Sequence, residues 1–266
     1  MYSIPGFEIK EILNESAHSL FVRAEESASG RSVILKFLNR EHPDNLDVMR
    51  FSREYERYSR LPLVPGIARV LGIKHHGIRI LMIFEDIPGL LFKDYLREDR
   101  LSLENFLYVG SNIAEILQAI HNAGIVHGGI NPSSYVYDPV TRNICLYNFT
   151  TTLPLIKEDL IDIPRDQGQG ILAYISPEQT GRTNRRIDWR TDLYSLGITF
   201  YEMLTGKLPF VTGDPLEMVH AHIARQPVAP YETQPAIPQI VSSIIMKLLS
   251  KNVEDRYQSA AAVRAD

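Results

Sequence analysis

The sequence contains a single cysteine, Cys145, among its 266 residues. One cysteine excludes an internal disulfide and a thiolate metal cluster, and it favours a reducing compartment, so we expect a cytoplasmic protein. Because Cys145 lies in an apolar stretch between Ile144 and Leu146, we expect a small buried side chain rather than a reactive thiol.

Long apolar runs and excess charge of either sign are also lacking. No run reaches the roughly 18 apolar residues that a membrane helix needs, and the N-terminal residues lack the pattern of a signal peptide. The 28 Lys and Arg residues face 32 Asp and Glu residues, for a net charge of −4, and the densest basic stretch, 182–190, is short. We therefore expect neither membrane insertion nor a nucleic-acid partner.

The first third of the chain has the alternation of β-strands. Strands are predicted at 6–13, 19–24, 32–38, 67–73 and 79–84. Between the third and fourth of these, the apolar residues from Leu46 to Tyr58 have the mixed three- and four-residue spacing of an amphipathic helix. Residues 86–89 have the composition of a turn or hinge.

Helical patterns dominate the rest. Ser102 is a good N-cap for a helix running to about residue 122, and Gly124 follows as its stop. Further elements are predicted as strands at 135–137 and 144–147 and as helices at about 191–205, 214–225, 238–250 and 257–266. The last helix carries no stop signal, which leads us to expect a longer natural chain.

These patterns predict an α+β fold with two lobes. Residues 1–85 form an N-lobe with a five-stranded antiparallel sheet and one helix, 86–90 form a hinge, and 91–266 form a mainly helical C-lobe. The stretch 148–178 has no clear period, and so long a loop needs a functional reason.

Several short motifs occur in a fixed order. They are Val33–Lys36, Glu54 in the following helix, the loop 125–134, Asn148-Phe149-Thr150, Ser176-Pro177-Glu178, Asp192–Gly197 and Arg256. Each motif alone is weak evidence, but the ordered set resembles the protein kinase family over nearly the whole chain. In that resemblance, 125–134 corresponds to the catalytic loop and 148–178 to the activation segment.

The resemblance implies roles for individual residues. It implies that ATP, if it binds, contacts Lys36, Glu54, Ile34, Phe84 and Ile87. The positions with structural roles are His127, Phe149, Glu178, Asp192 and Arg256.

Phosphoryl transfer needs an aspartate as proton acceptor and further oxygen ligands for Mg²⁺. The resemblance places other residues at these positions: Gly129 for the catalytic aspartate, Asn131 for the loop lysine, Ser134 for the metal-binding asparagine and Asn148 for the metal-binding aspartate. The threonine that bonds the catalytic aspartate is replaced by Ile171. We therefore expect no catalytic residue, no metal site and no required cofactor, with Mg²⁺ not expected.

These replacements predict a pseudokinase, a regulatory or interaction module without phosphoryl transfer. Two alternatives remain open. One is a serine/threonine kinase with reduced or atypical activity, which needs another carboxylate such as Asp138 or Asp166; the other is an ATP-sensing domain that binds nucleotide through Lys36 without turnover.

The sequences of segments 173–182 and 190–197 are similar to those of one subgroup of the family. These are kinase-like domains at the front of large bacterial, often cyanobacterial, sensor proteins that also contain an ATPase-like region, a GAF module and a histidine kinase. The resemblance implies that the partners are neighbouring domains of a longer chain or other signalling proteins.

Overall fold

A computed structural model describes residues 4–15, 19–39, 44–61, 63–76, 79–148, 170 and 172–266. The chain divides into two compact units, one of Met1–Leu91 with Val136–Tyr147 and one of Phe92–Tyr135 with Asn148–Asp266. The hinge predicted at 86–90 ends just before the first division. The small hairpin, assigned to the C-lobe from the sequence, is grouped with the first unit.

The first unit is built on a five-stranded antiparallel sheet in the order β1-β2-β3-β5-β4. Its strands are β1 Phe7–Glu15, β2 Ser19–Glu26, β3 Ser32–Leu38, β4 Val70–His76 and β5 Arg79–Glu85. The fourth strand begins later than the predicted 67–73. Residues 67–68 pair elsewhere, since the Ala68 amide donates to the Leu146 carbonyl at 2.7 Å.

One helix, α1 Asn45–Arg60, follows β3 as predicted. The Asp44 carboxylate caps it by accepting from the Asp47 amide at 2.8 Å. On one face of the sheet, alternate apolar residues such as Val22 and Leu35 form a buried core.

A second, three-stranded sheet joins β6 Leu90–Leu91, β7 Tyr135–Asp138 and β8 Asn143–Leu146. Gly89 precedes β6 with φ +119°, and a Cβ there would lie 2.4 Å from the Tyr137 carbonyl oxygen. Only glycine fits this close approach.

The second unit is helical. Its helices are α2 Phe92–Glu98, α3 Leu103–Asn122, α4 Trp189–Thr205, α5 Pro215–Ala224, α6 Pro230–Thr233, α7 Gln239–Leu248 and α8 Ala260–Ala265, with 3₁₀ turns at Pro132–Ser134, Pro177–Thr180 and Val253–Asp255. The predicted cap of α3 is confirmed, because Ser102 Oγ accepts from the Asn105 amide at 3.2 Å. The sequence did not predict α2, in which only Phe92 is buried. Within the described ranges, no helix has both the length and the apolar character required to span a membrane.

Candidate functional site

Lys36 and Glu54 form a buried ion pair in the first unit. Lys36 lies on β3 and Glu54 on α1, and Nζ is 2.5 Å from Oε1. The side chains are 4% and 10% exposed. The pair joins helix to sheet, and removing one partner of such a pair leaves a buried charge uncompensated.

The other predicted nucleotide positions lie in the same unit as this pair. Ile34 and Phe84 are directly paired across β3 and β5, and both are fully buried. Ile87 follows β5 and is half-buried. Its carbonyl accepts a hydrogen bond from Arg23 Nη2 at 3.3 Å, a contact that the sequence did not predict.

The loop 125–134 in the second unit is organised around His127. His127 is fully buried. Its Nδ1 accepts from the Gly129 amide at 3.2 Å, so the proton is on Nε2, which donates to the Asn148 carbonyl at 2.8 Å. The imidazole therefore connects the loop to the chain that follows β8.

Asp192 on α4 fixes the same loop by accepting hydrogen bonds from its backbone amides. One carboxylate oxygen accepts from the His127 amide and from His121 Nε2, each at 2.9 Å, and the other accepts from the Gly128 amide at 2.7 Å. These donors satisfy a fully buried carboxylate, as a buried charge requires.

Gly129 provides no side chain to accept a proton. Its carbonyl oxygen instead accepts from Asn131 Nδ2 at 2.8 Å and from Ser134 Oγ at 3.2 Å. Asn131 Oδ1 in turn accepts from the Ser133 amide at 2.8 Å. The polar groups at these positions thus stabilise the loop conformation.

These residues do not fit a magnesium site. Mg²⁺ is held by carboxylates, phosphates and water in near-octahedral geometry, whereas Asn148 is a neutral amide and Ser134 Oγ donates its proton to a backbone carbonyl. Over the described part of the chain, no group of three or more His, Cys, Asp or Glu side chains is placed to hold a metal ion.

The segment that precedes α4 is tied down by an ion pair. Arg256 Nη1 and Nη2 donate to the two carboxylate oxygens of Glu178 at 2.7 and 2.9 Å, and Thr191 Oγ1 donates to Oε1 at 2.8 Å. Burial acts to raise the pKa of Glu178, but the charge and hydrogen bonds of Arg256, together with the hydrogen bond from Thr191, outweigh it, and the pKa lies below its ordinary value. The carboxylate is therefore held in its charged form.

Gln179 adds a link that the sequence did not predict. Its Nε2 donates to the Gly128 carbonyl at 2.7 Å, and its Oε1 accepts from the Ser176 amide at 2.9 Å. A Gln three residues after a Ser is a capping-box pattern, which was the available signal. Two further predicted positions, Phe149 and Ile171, and most of 148–178 lie outside the described residues.

The sequence model of the protein kinase domain family matches residues 7–266, and the chain belongs to this family. Among its relatives, a probable serine/threonine-protein kinase of Clostridium perfringens is 28% identical over 98% of this chain and 37% of its own length. The serine/threonine-protein kinase PknB of Mycobacterium leprae is 26% identical over 98% of this chain and 42% of its own length.

A different relative is similar over a shorter stretch. The hybrid signal transduction histidine kinase G of Dictyostelium discoideum is 50% identical over 93 residues, which are 35% of this chain and 3% of that protein. The chain thus spans less than half the length of each of these relatives.

The kinase domain of Mycobacterium tuberculosis PknI is a solved structure with the same fold. A double mutant of that domain superposes with a TM-score of 0.75 at 19% identity, covering 99% of this chain and 95% of that one. The predicted α+β protein-kinase fold is therefore confirmed.

Proposed function

We propose that this kinase domain is a regulatory or interaction module that does not transfer phosphate. One observation carries the proposal: the loop 127–134 keeps the bonds that fix its backbone, while Gly129 stands at the position of the proton acceptor. The side chains of Asn131 and Ser134 donate hydrogen bonds to the Gly129 carbonyl, so both residues stabilise the conformation of the loop.

The physical argument concerns charge. A phosphoryl group passes through a transition state that metal ions and a nearby aspartate must position and neutralise. Asn148 and Ser134 bring no negative charge to the metal positions, and Gly129 brings no acceptor. A scaffold with these residues binds Mg²⁺ weakly at best, which supports a role without turnover.

The second candidate is a serine/threonine kinase of reduced or atypical activity, and the comparisons favour it. The Clostridium and Mycobacterium relatives are named as kinases and match nearly all of this chain. Such activity needs a carboxylate from elsewhere. The Asp138 carboxylate already accepts hydrogen bonds from Thr141 Oγ1 at 2.6 Å and from the Val140 amide at 3.0 Å. Asp166 lies outside the described residues.

The proposed partners are neighbouring domains of a longer signalling chain. The 50% identity with a segment of a hybrid histidine kinase supports this, because that segment is 3% of a very large protein. Docking of a neighbouring domain needs a stable kinase fold and no chemistry.

The test is transfer of labelled phosphate from ATP, with Mg²⁺ or Mn²⁺, to the chain itself and to a generic protein substrate. We expect no incorporation above that of the Lys36→Ala variant. Incorporation that Lys36→Ala abolishes would contradict the proposal and establish the kinase alternative.

A further inference from the structure

Side chains from three paired strands share the sheet face that carries Lys36. Phe21 on β2 lies directly opposite Lys36 on β3, and Phe84 on β5 lies opposite Ile34. Directly paired residues project from the same face of an antiparallel sheet. The family resemblance places nucleotide on this face, so the side chains that fill it decide whether nucleotide binds.

Two aromatic rings occupy the region next to Lys36. Phe21 and Tyr147 are 1% and 0% exposed. Their rings meet edge to face, with centroids 4.8 Å apart. Tyr58 Oη donates to the Tyr147 carbonyl at 2.5 Å, which fixes the chain that carries the second ring. Both rings are buried hydrophobic groups, and expelling them would expose a large apolar area.

The Lys36 ammonium already has partners within this unit. Besides Glu54, it lies 4.8 Å from the centroid of the Phe21 ring. A cation over an aromatic face is stabilised most when both groups are shielded from water. A phosphate group would compete with Glu54 and with the Phe21 ring for the amine.

Arg23 covers the strand-to-hinge end of the same face, two residues along β2 from Phe21. Its Nε donates to Asp86 Oδ1 at 3.0 Å, and its Nη2 donates to the carbonyls of Ile87 at 3.3 Å and Gly89 at 3.2 Å. The hinge carbonyls therefore already carry a charged donor.

We propose that Phe21 and Arg23, with Tyr147, form an internal plug that excludes nucleotide from this domain. Lys36 then serves to hold β3 to α1 and to pack on Phe21. The inference rests on the proposed function, since a domain without phosphoryl transfer has no need of an open nucleotide site. Phe21 and Arg23 are its specificity-determining residues.

The test is a thermal-shift titration with ATP, with and without Mg²⁺, on the intact chain and on Phe21→Val. Valine removes the ring and keeps a β-branched residue suited to a strand. We expect no saturable rise in Tm for the intact chain at millimolar ATP. For Phe21→Val we expect a saturable rise in Tm, with an apparent affinity for ATP at least tenfold tighter than that of the intact chain.

Phe37→Val is the matched control. Phe37 is on β3 and equally buried, but it belongs to the core on the opposite face of the sheet. It loses the same volume without opening the Lys36 face, so it should give no response to ATP. If ATP raises the Tm of both variants, the binding results from a general loss of packing in the sheet, and the inference is overturned.

Two other results would also overturn it. One is saturable ATP binding by the intact chain that is lost in Lys36→Ala, and the other is a folded Phe21→Val without a response. If Phe21→Val does not fold, Phe21→Leu takes its place under the same criteria. ATP binding without phosphate transfer would overturn this inference alone, whereas phosphate transfer would overturn the proposed function as well.

Discussion

Glu178 and Arg256 show what the buried charges of this domain do at the residue scale. The side chains are 1% and 0% exposed, and the two groups meet in a bidentate geometry. Such geometry is preorganised, so less conformational entropy is lost for each bond. The pair fixes the segment at Pro177–Thr180 next to α4.

Glu178→Gln should lower the free energy of unfolding by about 3–5 kcal/mol, because it leaves the Arg256 charge buried and uncompensated. Urea denaturation measures the loss. Glu254→Gln is the control, since Glu254 pairs with Arg190 but is 64% exposed. Its cost should stay below about 1 kcal/mol. Equal costs for the two variants would contradict the role given to burial.

The same pair predicts a pH dependence. The pKa of Glu178 lies below its ordinary value of 4.5, so its contribution is complete above that pH and is lost as the pH falls through the lower folded value. The difference in stability between the intact chain and Glu178→Gln should therefore shrink below pH 4.5. A constant difference down to acid unfolding would show that the charge is irrelevant.

His222 on α5 gives a second pH effect with a different window. Burial, with Lys251 nearby, lowers the pKa of His222 to about 3. Its Nδ1 is 3.1 Å from Tyr194 Oη, which also accepts from Lys251 Nζ at 3.2 Å. Below its ordinary pKa of 6.5, His222 is protonated only in the unfolded state, which destabilises the fold progressively down to about pH 3.

His222→Gln should remove up to about 1.4 kcal/mol per pH unit from the slope of stability against pH below 6.5. The slope is informative even if His222→Gln lowers stability at every pH. An unaltered slope would mean that His222 accepts a proton in the folded protein.

The sequence predicted some of these residue contacts and missed others. Lys36, Glu54 and Asp192 were singled out because the kinase motifs have fixed spacing, and the structure pairs Lys36 with Glu54 and Asp192 with the His127 amide. Arg23 and Phe21 were missed because their importance depends on strand register, which a single sequence does not specify.

At the scale of elements, Gly197 lets α4 approach the end of α7. A Cβ at Gly197 would lie 2.7 Å from Leu248 Cβ and 2.9 Å from Leu249 Cδ2. Both neighbours belong to the packed core, so a methyl group there must move a helix end.

Gly197→Ala should lower the free energy of unfolding by about 1–3 kcal/mol through overpacking. Helix propensity alone predicts the opposite sign, a gain of about 0.5–1 kcal/mol. Gly110→Ala on α3 is the control, because the nearest atoms to its added Cβ are those of the Phe200 ring, at 3.2 Å rather than 2.7 Å. Chemical denaturation measures both, and a stabilised Gly197→Ala would contradict the packing account.

Element prediction succeeded where the periodicity was long. Helix α3 has its predicted cap and buries one apolar face along its length, whereas the seven-residue α2 buries only Phe92 and gives no periodic signal. The fourth strand was placed too early because Ile67 and Ala68 are apolar but pair with Leu146. Local pattern cannot show which partner a short apolar segment takes.

At the scale of the whole molecule, the chain has the protein kinase fold, and the proposed function depends on the residues at positions 129, 134 and 148. The family model covers residues 7–266, and the fold matches a solved mycobacterial kinase domain. Fold similarity does not decide activity, which depends on the residues of the site.

Acidic residues at positions 129 and 148, with asparagine at 134, should give this domain a metal site. The triple variant Gly129→Asp, Ser134→Asn and Asn148→Asp provides the oxygen ligands that divalent ions prefer. We expect Mn²⁺ to raise the Tm of this variant saturably, with an affinity at least tenfold tighter than that of the intact chain. Equal responses to Mn²⁺ would mean that other residues already hold a metal ion.

The most direct test of the account is the rate of phosphate transfer from ATP by the intact chain, measured beside Lys36→Ala under saturating Mg²⁺ and Mn²⁺. The account predicts that the two rates are equal and do not exceed the rate of spontaneous hydrolysis. A metal-dependent rate in the intact chain that Lys36→Ala removes would contradict it and would make this domain an active kinase.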